Sequence, residues 1–444
     1  MATPPNAMPW AYGLLGVPLA FGALPLYVAL PHHYAQYPGM DLRTLGVTVL
    51  LARVLDAVVD PAVGRWSDAL LRHSERRTWA LACVGGVALA GSFAALWQVP
   101  EGISPWLWLM AMLPLCTLAC SSLTIVHQAW GTRWAGSPLW RARIAAWREG
   151  AALLGVIFAS ALIGLQHSLW LSLGLAVGLV LGLLGLRRTF GWLSQDEAPV
   201  AADRPAGPSG AHRPAPRRPS WLAPWLMPWQ KPAFRRLIAV HLLNGVAAAI
   251  PATLLPFFVA DRLQAPAMQG VFLLGYFGAA ALAMPLWLRL IARRGLAPTW
   301  RLGMACTVLA FALTPLLQPG DVWPFFAICV ASGTALGADL AVPGALLTGV
   351  VHGHGQEAAP ASAARHAGLH AGWWAFSGKL SLALAAGLSL PLLQAWGYQS
   401  GSRDAAAVQA LVLAYAGLPC VLKLLAAATL WWSEKQHPEW SACA

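Results

Sequence analysis

The chain has 444 residues, of which 58% are hydrophobic and only 10% are charged, and its mean hydropathy is +0.58. Soluble domains carry about 25% charged residues, so this composition excludes a soluble globular fold and indicates a polytopic membrane protein. Because a net charge of +12 can reflect either nucleic-acid binding or membrane topology, the positions of the basic residues have to decide between the two.

Apolar stretches of about 20 residues or more predict twelve transmembrane helices and therefore an all-α fold. The amino-terminal sequence MATPPNAMPW lacks the basic region of a secretory signal, so the first apolar stretch is expected to be retained as helix one. The seven cysteines lie almost entirely inside predicted helices and form no CxxC pair, so we interpret them as packing residues. The predicted spans are roughly 9–31, 44–70, 78–99, 104–133, 142–165, 168–190, 234–260, 267–291, 298–318, 322–351, 363–396 and 405–432.

The second predicted helix contains the sequence LLARVLDAVVDPAVGRWSD, which puts three ionisable side chains near the middle of a membrane span. Arg53, Asp56 and Asp60 are spaced at i, i+3 and i+7, so they share one face of the helix. Each charge near the bilayer centre costs about 3 kcal/mol, and we therefore expect this face to line an interior cavity. Pro61 displaces the carbonyl of Ala57 from its helical hydrogen bond, and two carboxylates beside a free carbonyl suit a small cation or a proton. The alternative is a structural Arg–Asp pair that locks two helices together.

One long polar segment, at about 191–232, is rich in Pro, Ala, Gly and Arg and has no apolar periodicity. Such a composition cannot bury enough surface to fold, so it predicts a partly disordered cytoplasmic linker. It would separate an N-terminal six-helix bundle at 1–190 from a C-terminal six-helix bundle at 233–444. Weak internal repeats, such as the Pro, Trp and Arg patterns near the ends of helices two and eight, favour two parallel bundles with a site at the bilayer midplane.

The basic residues follow the predicted topology. Loops after odd-numbered helices offer only Arg43, Arg262 and Arg403, whereas loops after even-numbered helices carry most of the arginines. By the positive-inside rule the even side is cytoplasmic, so a multi-pass protein of the cell inner membrane with both termini inside is predicted. The net charge is therefore a topology signal, and contact with anionic lipid, rather than nucleic acid, is its expected consequence. The arginines of the even side include Arg72, Arg76, Arg77, Arg133, Arg141, Arg143, Arg289, Arg293, Arg294 and Arg301.

Three patches of the sequence resemble the glycoside-pentoside-hexuronide:cation symporters, the melibiose permease group of the major facilitator superfamily. The first is ARVLDAVVDPAVGRWSD with its basic turn and ERRTW. The second, GLHAGWWAFSGKLSLALAAGLSLPLLQAWGY, is similar to the family's helix eleven with its cavity lysine, which matches Lys379. The third, RIAAWREG, contains Arg148, which looks like the family's helix-five arginine. The residues that carry the first likeness are Arg53, Asp56, Asp60, Pro61 and Gly64.

This resemblance implies two six-helix bundles, alternating access, and Na⁺, Li⁺ or H⁺ carried together with a solute. It also implies that Asp56 and Asp60 bind the cation, with Lys379 close by from the opposite bundle. The chain departs from the family in three places: predicted helix one has no acid, helix four reads CSSLTIVHQAW without an aspartate, and TGVVHGHGQE replaces the acidic stretch after helix ten. Cation coupling is therefore better supported than sugar recognition.

Further polar residues in predicted helices are candidates for coupling or solute contact: His127, Gln128, Arg148 and Asp339. For His127 the alternative is a histidine satisfied by a backbone carbonyl, and for Arg148 it is a local salt bridge with the next residue. Asp339 precedes a predicted kink and is a candidate for gating as well.

Asp68 resembles the acid of the superfamily's cytoplasmic loop motif, which holds one conformer closed, and we interpret it as a cytoplasmic gate. The alternative is a solvated acid at a helix end. His366 and His370 have i, i+4 spacing, but no acid or cysteine completes a set of metal ligands, so no metal site is expected.

These observations predict a cation-coupled symporter of a small solute. The family resemblance implies a sugar or glycoside as the default solute. No HExxH, GxSxG or P-loop motif is present, so an enzyme is not expected. No cofactor is expected beyond the coupling ion, and no obligate protein partner is evident. The alternatives are an exporter or importer of amphipathic or lipid-like compounds in the same fold, and a non-transporting membrane sensor or scaffold.

Overall fold

The computed structural model describes residues 8–35, 37, 42–134, 137–163, 168–189, 225–352, 366–398 and 403–441. Throughout these ranges the regular secondary structure is helical and no strand is present. The predicted all-α fold is confirmed.

Twelve helical spans run through the described residues, and they are numbered α1 to α12 in chain order. In the first half, α1 is Met8–Gly13 continued as Gly16–Ala35, α2 is Leu42–His73, α3 is Glu75–Leu96, α4 is Pro105–Thr132, α5 is Pro138–Ile163 and α6 is Ser168–Arg187. In the second half, α7 is Pro232–Phe257 with a π turn at Phe258–Arg262, α8 is Gln269–Arg294, α9 is Leu296–Phe311, α10 is Val322–His352, α11 is Ala367–Ala395, and α12 is Ala405–Val412 and Leu418–Gln436 joined by a π turn at Leu413–Gly417.

The twelve helices differ in how well their length and composition suit a membrane span. Within the described residues, nine helices are long and apolar enough to cross a membrane by length and composition. The other three, α2, α5 and α11, are 32, 26 and 29 residues long, which exceeds the roughly 20 residues that span a hydrocarbon core. These three helices carry Asp56, Arg148 and Lys379, so most of the predicted site residues lie on them.

The helices pack as two groups that meet along a few pairs. In the first group, α1 packs against α5 and α6, and α4 packs against α2 and α3; in the second, α7 packs against α11 and α12, and α10 against α8 and α9. The groups meet where α11 contacts α2 and α4, and where α5 contacts α8 and α10. A site between α2, α4, α5 and α11 therefore lies between the two groups.

The two groups approach closely at one end of the molecule, where α2 and α4 end and α11 begins. Gly64 of α2 and Gly368 of α11 face each other backbone to backbone, and a Cβ at either position would overlap the facing carbonyl. The carboxylate of Asp68 accepts two backbone N–H groups in the first turn of α11, at 2.6 and 2.8 Å. At the ends of α10 and α4, the imidazole of His352 donates to the carbonyl of Thr132 at 2.8 Å. The described conformer is closed at this end.

Most of the predicted linker lies outside the described residues. Its final part, from residue 225, is described and contains the four-residue helix Met227–Gln230. The indole of Trp373 on α11 donates to the carbonyl of Trp225 at 3.0 Å, and the guanidinium of Arg65 on α2 lies 4.9 Å from the centre of the Trp225 ring. This segment therefore touches one helix of each group at the closed end.

Candidate cation and solute site

Asp56 and Asp60 lie one helical turn apart on α2 and both are buried, with 5% and 1% of their surface exposed. Pro61 lies inside α2 without ending it, and a proline at this position deprives the carbonyl four residues earlier of its helical partner. Two carboxylates that are withdrawn from water repel each other unless a positive charge lies between them. The local structure of α2 therefore favours a positive charge between the two carboxylates.

The ammonium group of Lys379, on α11 in the other group of helices, supplies this positive charge. Its Nζ lies 2.7 Å from Asp56 Oδ2 and 2.7 Å from Asp60 Oδ1. It also donates to the hydroxyl of Ser121 on α4 at 2.8 Å, and that hydroxyl donates to Asp56 Oδ1 at 2.5 Å. The structure thus brings together the predicted Asp56, Asp60 and Lys379 and adds Ser121.

This cluster has one positive side chain for two carboxylates. Asp60 Oδ2 is buried and has no hydrogen-bond partner among the described residues. Hard cations such as Na⁺ and Li⁺ prefer oxygen ligands, and the carboxylates with the Ser121 hydroxyl present up to five oxygen atoms. The oxygen atoms of this cluster are therefore of the type that small hard cations bind.

A cavity of about 320 Å³ opens between the groups beside this cluster. Its wall from α1 is apolar, whereas its wall from α4 and α5 carries most of the polar side chains. On the α1 side are Gly16, Leu19, Ala20, Ala23 and Leu26. On the α4 and α5 side are Thr117, Cys120, Ser121, Thr124, Ile125, His127, Gln128, Arg148, Glu149 and Ala152, and Asp56, Trp374, Ala375 and Lys379 complete the lining. The cavity can hold a solute in contact with the ion cluster.

Arg148 and Glu149, which both line this cavity, form a salt bridge with each other. Arg148 Nη2 lies 2.7 Å from Glu149 Oε1, and the Nε of the same side chain donates to the same oxygen at 3.0 Å. Both side chains are largely buried, with 17% and 29% exposed. The local salt bridge considered as the alternative for Arg148 does form, and the pair also faces the cavity.

His127 lines the cavity but is already hydrogen-bonded. Its Nε2–H donates to the carbonyl of Tyr12 on α1 at 2.9 Å, and the Tyr12 hydroxyl donates back to the His127 carbonyl at 2.9 Å. The two rings are 4.2 Å apart. The structure thus shows the histidine satisfied by a backbone carbonyl, whereas Gln128 beside it lines the cavity.

Asp339 lies elsewhere, in a second buried network inside the C-terminal group of helices. Its Oδ2 accepts from Lys423 Nζ at 2.6 Å, and its Oδ1 accepts from Trp300 Nε1 at 2.7 Å and from Asn244 Nδ2 at 3.1 Å. Lys423 also donates to Asn244 Oδ1 at 2.8 Å. The structure does not bring Asp339 to the central cavity.

Two further predicted residues differ in outcome. Asp68 is buried, with 2% exposed, so the solvated helix-end acid is wrong; its carboxylate instead caps the amino-terminal end of α11, where a negative charge is favourable. The side chain of Arg53 lies outside the described part of the structure.

Sequence reasoning missed Lys423 and Ser121. Lys423 carries the signal that marked Lys379, a lone charge in an apolar span. A hydroxyl such as that of Ser121 carries no comparable signal, because serine is common and inexpensive in transmembrane helices.

The fold is that of known membrane transporters. It is similar to a bacterial homologue of the iron transporter ferroportin in the outward-facing state, with a TM-score of 0.64 at 15% identity over 96% of this chain and 99% of that chain. It is also similar to a variant of the fucose:proton symporter of E. coli, with a TM-score of 0.61 at 13% identity over 94% of this chain and 98% of that chain. No curated protein sequence matches significantly. A family model described as MFS/sugar transport protein matches residues 9–433, so the chain belongs to this transporter family and is a multi-pass membrane protein rather than an enzyme.

Proposed function

We propose that the chain is a cation-coupled symporter of the glycoside-pentoside-hexuronide group, which moves a small solute by alternating access. The observation that supports it is the position of the Lys379 amine, 2.7 Å from both Asp56 and Asp60 and contributed by the opposite group of helices. In this proposal residues 1–190 and 233–444 are the two moving bundles, and residues 191–232 link them.

The geometry suggests why cation and solute travel together. A cation that binds Asp56 and Asp60 displaces the lysine amine, which then stays buried without a counter-charge, a costly state. Oxygen atoms of a solute in the adjoining cavity can accept hydrogen bonds from the displaced amine. When both ligands are absent the amine contacts both carboxylates, and when both are bound the cation contacts the carboxylates while the solute accepts from the amine. Only the cation-bound state without solute leaves the buried amine without a partner, so the empty and the fully loaded states are the ones that interconvert between conformers.

The orientation follows from the arginines. The closed end, where Asp68 caps α11, is the end at which the arginine-rich loops after even-numbered helices lie. The positive-inside rule assigns that end to the cytoplasm. In this proposal the conformer described here faces outward, in the inner membrane of the cell, with both termini inside.

A second candidate concerns the solute rather than the mechanism. The α1 wall of the cavity carries no polar side chain among its described lining residues, which are Gly16, Leu19, Ala20, Ala23 and Leu26. A sugar would leave its hydroxyls unpaired against this wall at a cost. The apolar wall therefore favours an amphipathic solute, whose apolar face would lie against α1 and whose polar face would meet Arg148 and Glu149.

The proposal is tested by solute accumulation in proteoliposomes under imposed Na⁺, Li⁺ or H⁺ gradients, with solutes first selected because they stabilise the purified protein. At least one gradient should drive accumulation, and Asp60→Asn should abolish it. Asp321→Asn is the matched control, because this carboxylate lies in the turn before α10 and accepts the backbone N–H of Gln318 at 2.7 Å. Gradient-driven accumulation that persists in Asp60→Asn would contradict the proposed cation site.

A further inference from the structure

A second cavity lies inside the C-terminal group of helices, between α7, α8, α9, α10 and α12. Its volume is about 100 Å³, and its lining residues include none of those that line the central cavity. Two π turns lie close by, Phe258–Arg262 at the end of α7 and Leu413–Gly417 within α12. Single π turns inside α-helices occur frequently at functional sites.

The cavity contains hydrogen-bonding groups that the protein leaves unused. An ammonium group has three N–H donors, and Lys423 Nζ uses two of them, toward Asp339 and Asn244. Lys423 lines the cavity, so its third donor is available to a molecule inside. The hydroxyls of Tyr276 and Tyr415 also make no hydrogen bond to the described residues, and both side chains line the cavity.

The charges at this site are already balanced. Asp339 accepts from Lys423, Trp300 and Asn244, so its carboxylate is fully hydrogen-bonded. A charged ligand would have to break this compensated pair or remain unpaired itself, and both are costly in a buried site. What remains is one N–H donor and two phenol hydroxyls, which match a neutral ligand with an oxygen acceptor.

The rest of the lining is mostly apolar, and the hydroxyls of Thr307 and Ser332, which also line the cavity, donate to backbone carbonyls of their own helices. The ring of Tyr415 is stacked on Phe258 at 4.2 Å and lies 5.8 Å from Phe311, and Phe272 and Phe311 are among the cavity walls. An apolar protein cavity of about 150 Å³ can hold benzene. The smaller cavity here suits a short alkyl group.

We propose that this cavity is a second binding site, for a small neutral molecule with a short alkyl body and an oxygen acceptor, of which a short-chain alcohol is the simplest example. The ligand oxygen accepts a hydrogen bond from Lys423 and pairs with the tyrosine hydroxyls, while the alkyl body lies against Phe272 and Phe311. The site is independent of the proposed cation site, because the two share no side chain.

A natural cysteine reports on the site. Cys420 lines the cavity, so a variant that keeps Cys420 as its single cysteine can be treated with methyl methanethiosulfonate and followed by mass spectrometry. We expect 1-butanol to slow the modification severalfold, and n-butylamine and butyrate of the same chain length to have little effect. A variant that keeps Cys306 instead controls for general effects on the micelle, since Cys306 lies on α9 and is absent from the cavity lining.

Two further variants test whether the protection of Cys420 by 1-butanol depends on the cavity. Ala248→Leu fills the cavity from α7 and should remove the protection by 1-butanol. Tyr415→Phe keeps the ring and deletes one hydroxyl, so it should weaken protection while the protein stays folded. The proposal is overturned if 1-butanol fails to protect Cys420, protects it equally in Ala248→Leu, or is matched by the charged probes.

Discussion

Replacing Lys379 by methionine keeps the length of the side chain and removes the amine that lies between two buried carboxylates. In the structure this amine contacts Asp56 Oδ2 and Asp60 Oδ1 at 2.7 Å each and Ser121 at 2.8 Å. In Lys379→Met the two carboxylates face each other without compensation. We expect the variant to be less stable than the parent without cations and to bind a cation more tightly.

The size of the effect follows from these contacts. Removing one partner of a buried ion pair costs about 3–5 kcal/mol, because the remaining charge is left uncompensated. If the amine favours the cation-free state by about 3 kcal/mol, its loss raises cation affinity about 100-fold, at 1.4 kcal/mol per factor of ten. At a cation concentration equal to the dissociation constant of the parent, the linked stabilisation is about 0.4 kcal/mol for the parent and about 2.7 kcal/mol for the variant.

The assay is thermal unfolding of purified protein over a series of Na⁺ and Li⁺ concentrations at constant ionic strength and alkaline pH, where protons compete least. The concentration that gives half of the maximal stabilisation should fall about 100-fold in Lys379→Met, because removing the competing amine raises the cation affinity by that factor. Lys435→Met is the matched control, because this exposed lysine lies over the Trp431 ring at 3.6 Å near the end of α12. An unchanged or higher half-maximal concentration in Lys379→Met would refute the competition between amine and cation.

Two further predictions concern the closed end of the molecule. A Cβ in Gly372→Ala would lie 2.5 Å from the Asp60 carbonyl oxygen. Such overpacking costs about 1–3 kcal/mol, so Gly372→Ala should reduce the population of the closed conformer about 5- to 150-fold. Gly378→Ala is the control, because the atom nearest to its Cβ, His241 Nε2, is 4.0 Å away. Spin labels at the ends of α2 and α11 should then show a longer distance in Gly372→Ala alone, and equal distances in both variants would contradict the contact. Asp68→Asn keeps one acceptor oxygen and places an amide N–H₂ donor against the second backbone N–H of α11, so one hydrogen bond is lost and the other loses its charge. Closure should weaken by about 1–3 kcal/mol, and the same labels should report a shift in the same direction, with no shift counting against a gating role.

Much of the ion cluster could be predicted because charge is expensive inside a membrane. Asp56, Asp60 and Lys379 are conspicuous in apolar spans, and the cost of burying each one implies a partner. Helical spacing placed the two carboxylates on one face, which the structure bears out in their shared contact with Lys379.

The remaining contacts depend on packing between helices that are far apart in sequence. Asp339 carries the same signal as Asp56, but its partner Lys423 is 84 residues away, and nothing in the sequence shows whether α10 turns this side chain toward the central cavity or into its own group. The histidine at position 127 is likewise satisfied by Tyr12, 115 residues away. Spacing within one helix cannot specify either pairing.

The most direct measurement is calorimetric titration of the purified protein with Na⁺ and Li⁺, in two buffers of different protonation enthalpy so that displaced protons are also counted. We predict that one cation binds the parent, or exchanges with a proton, at one site per chain, and that Asp56→Asn and Asp60→Asn each abolish this event. Unchanged cation binding and proton release in both variants would contradict it.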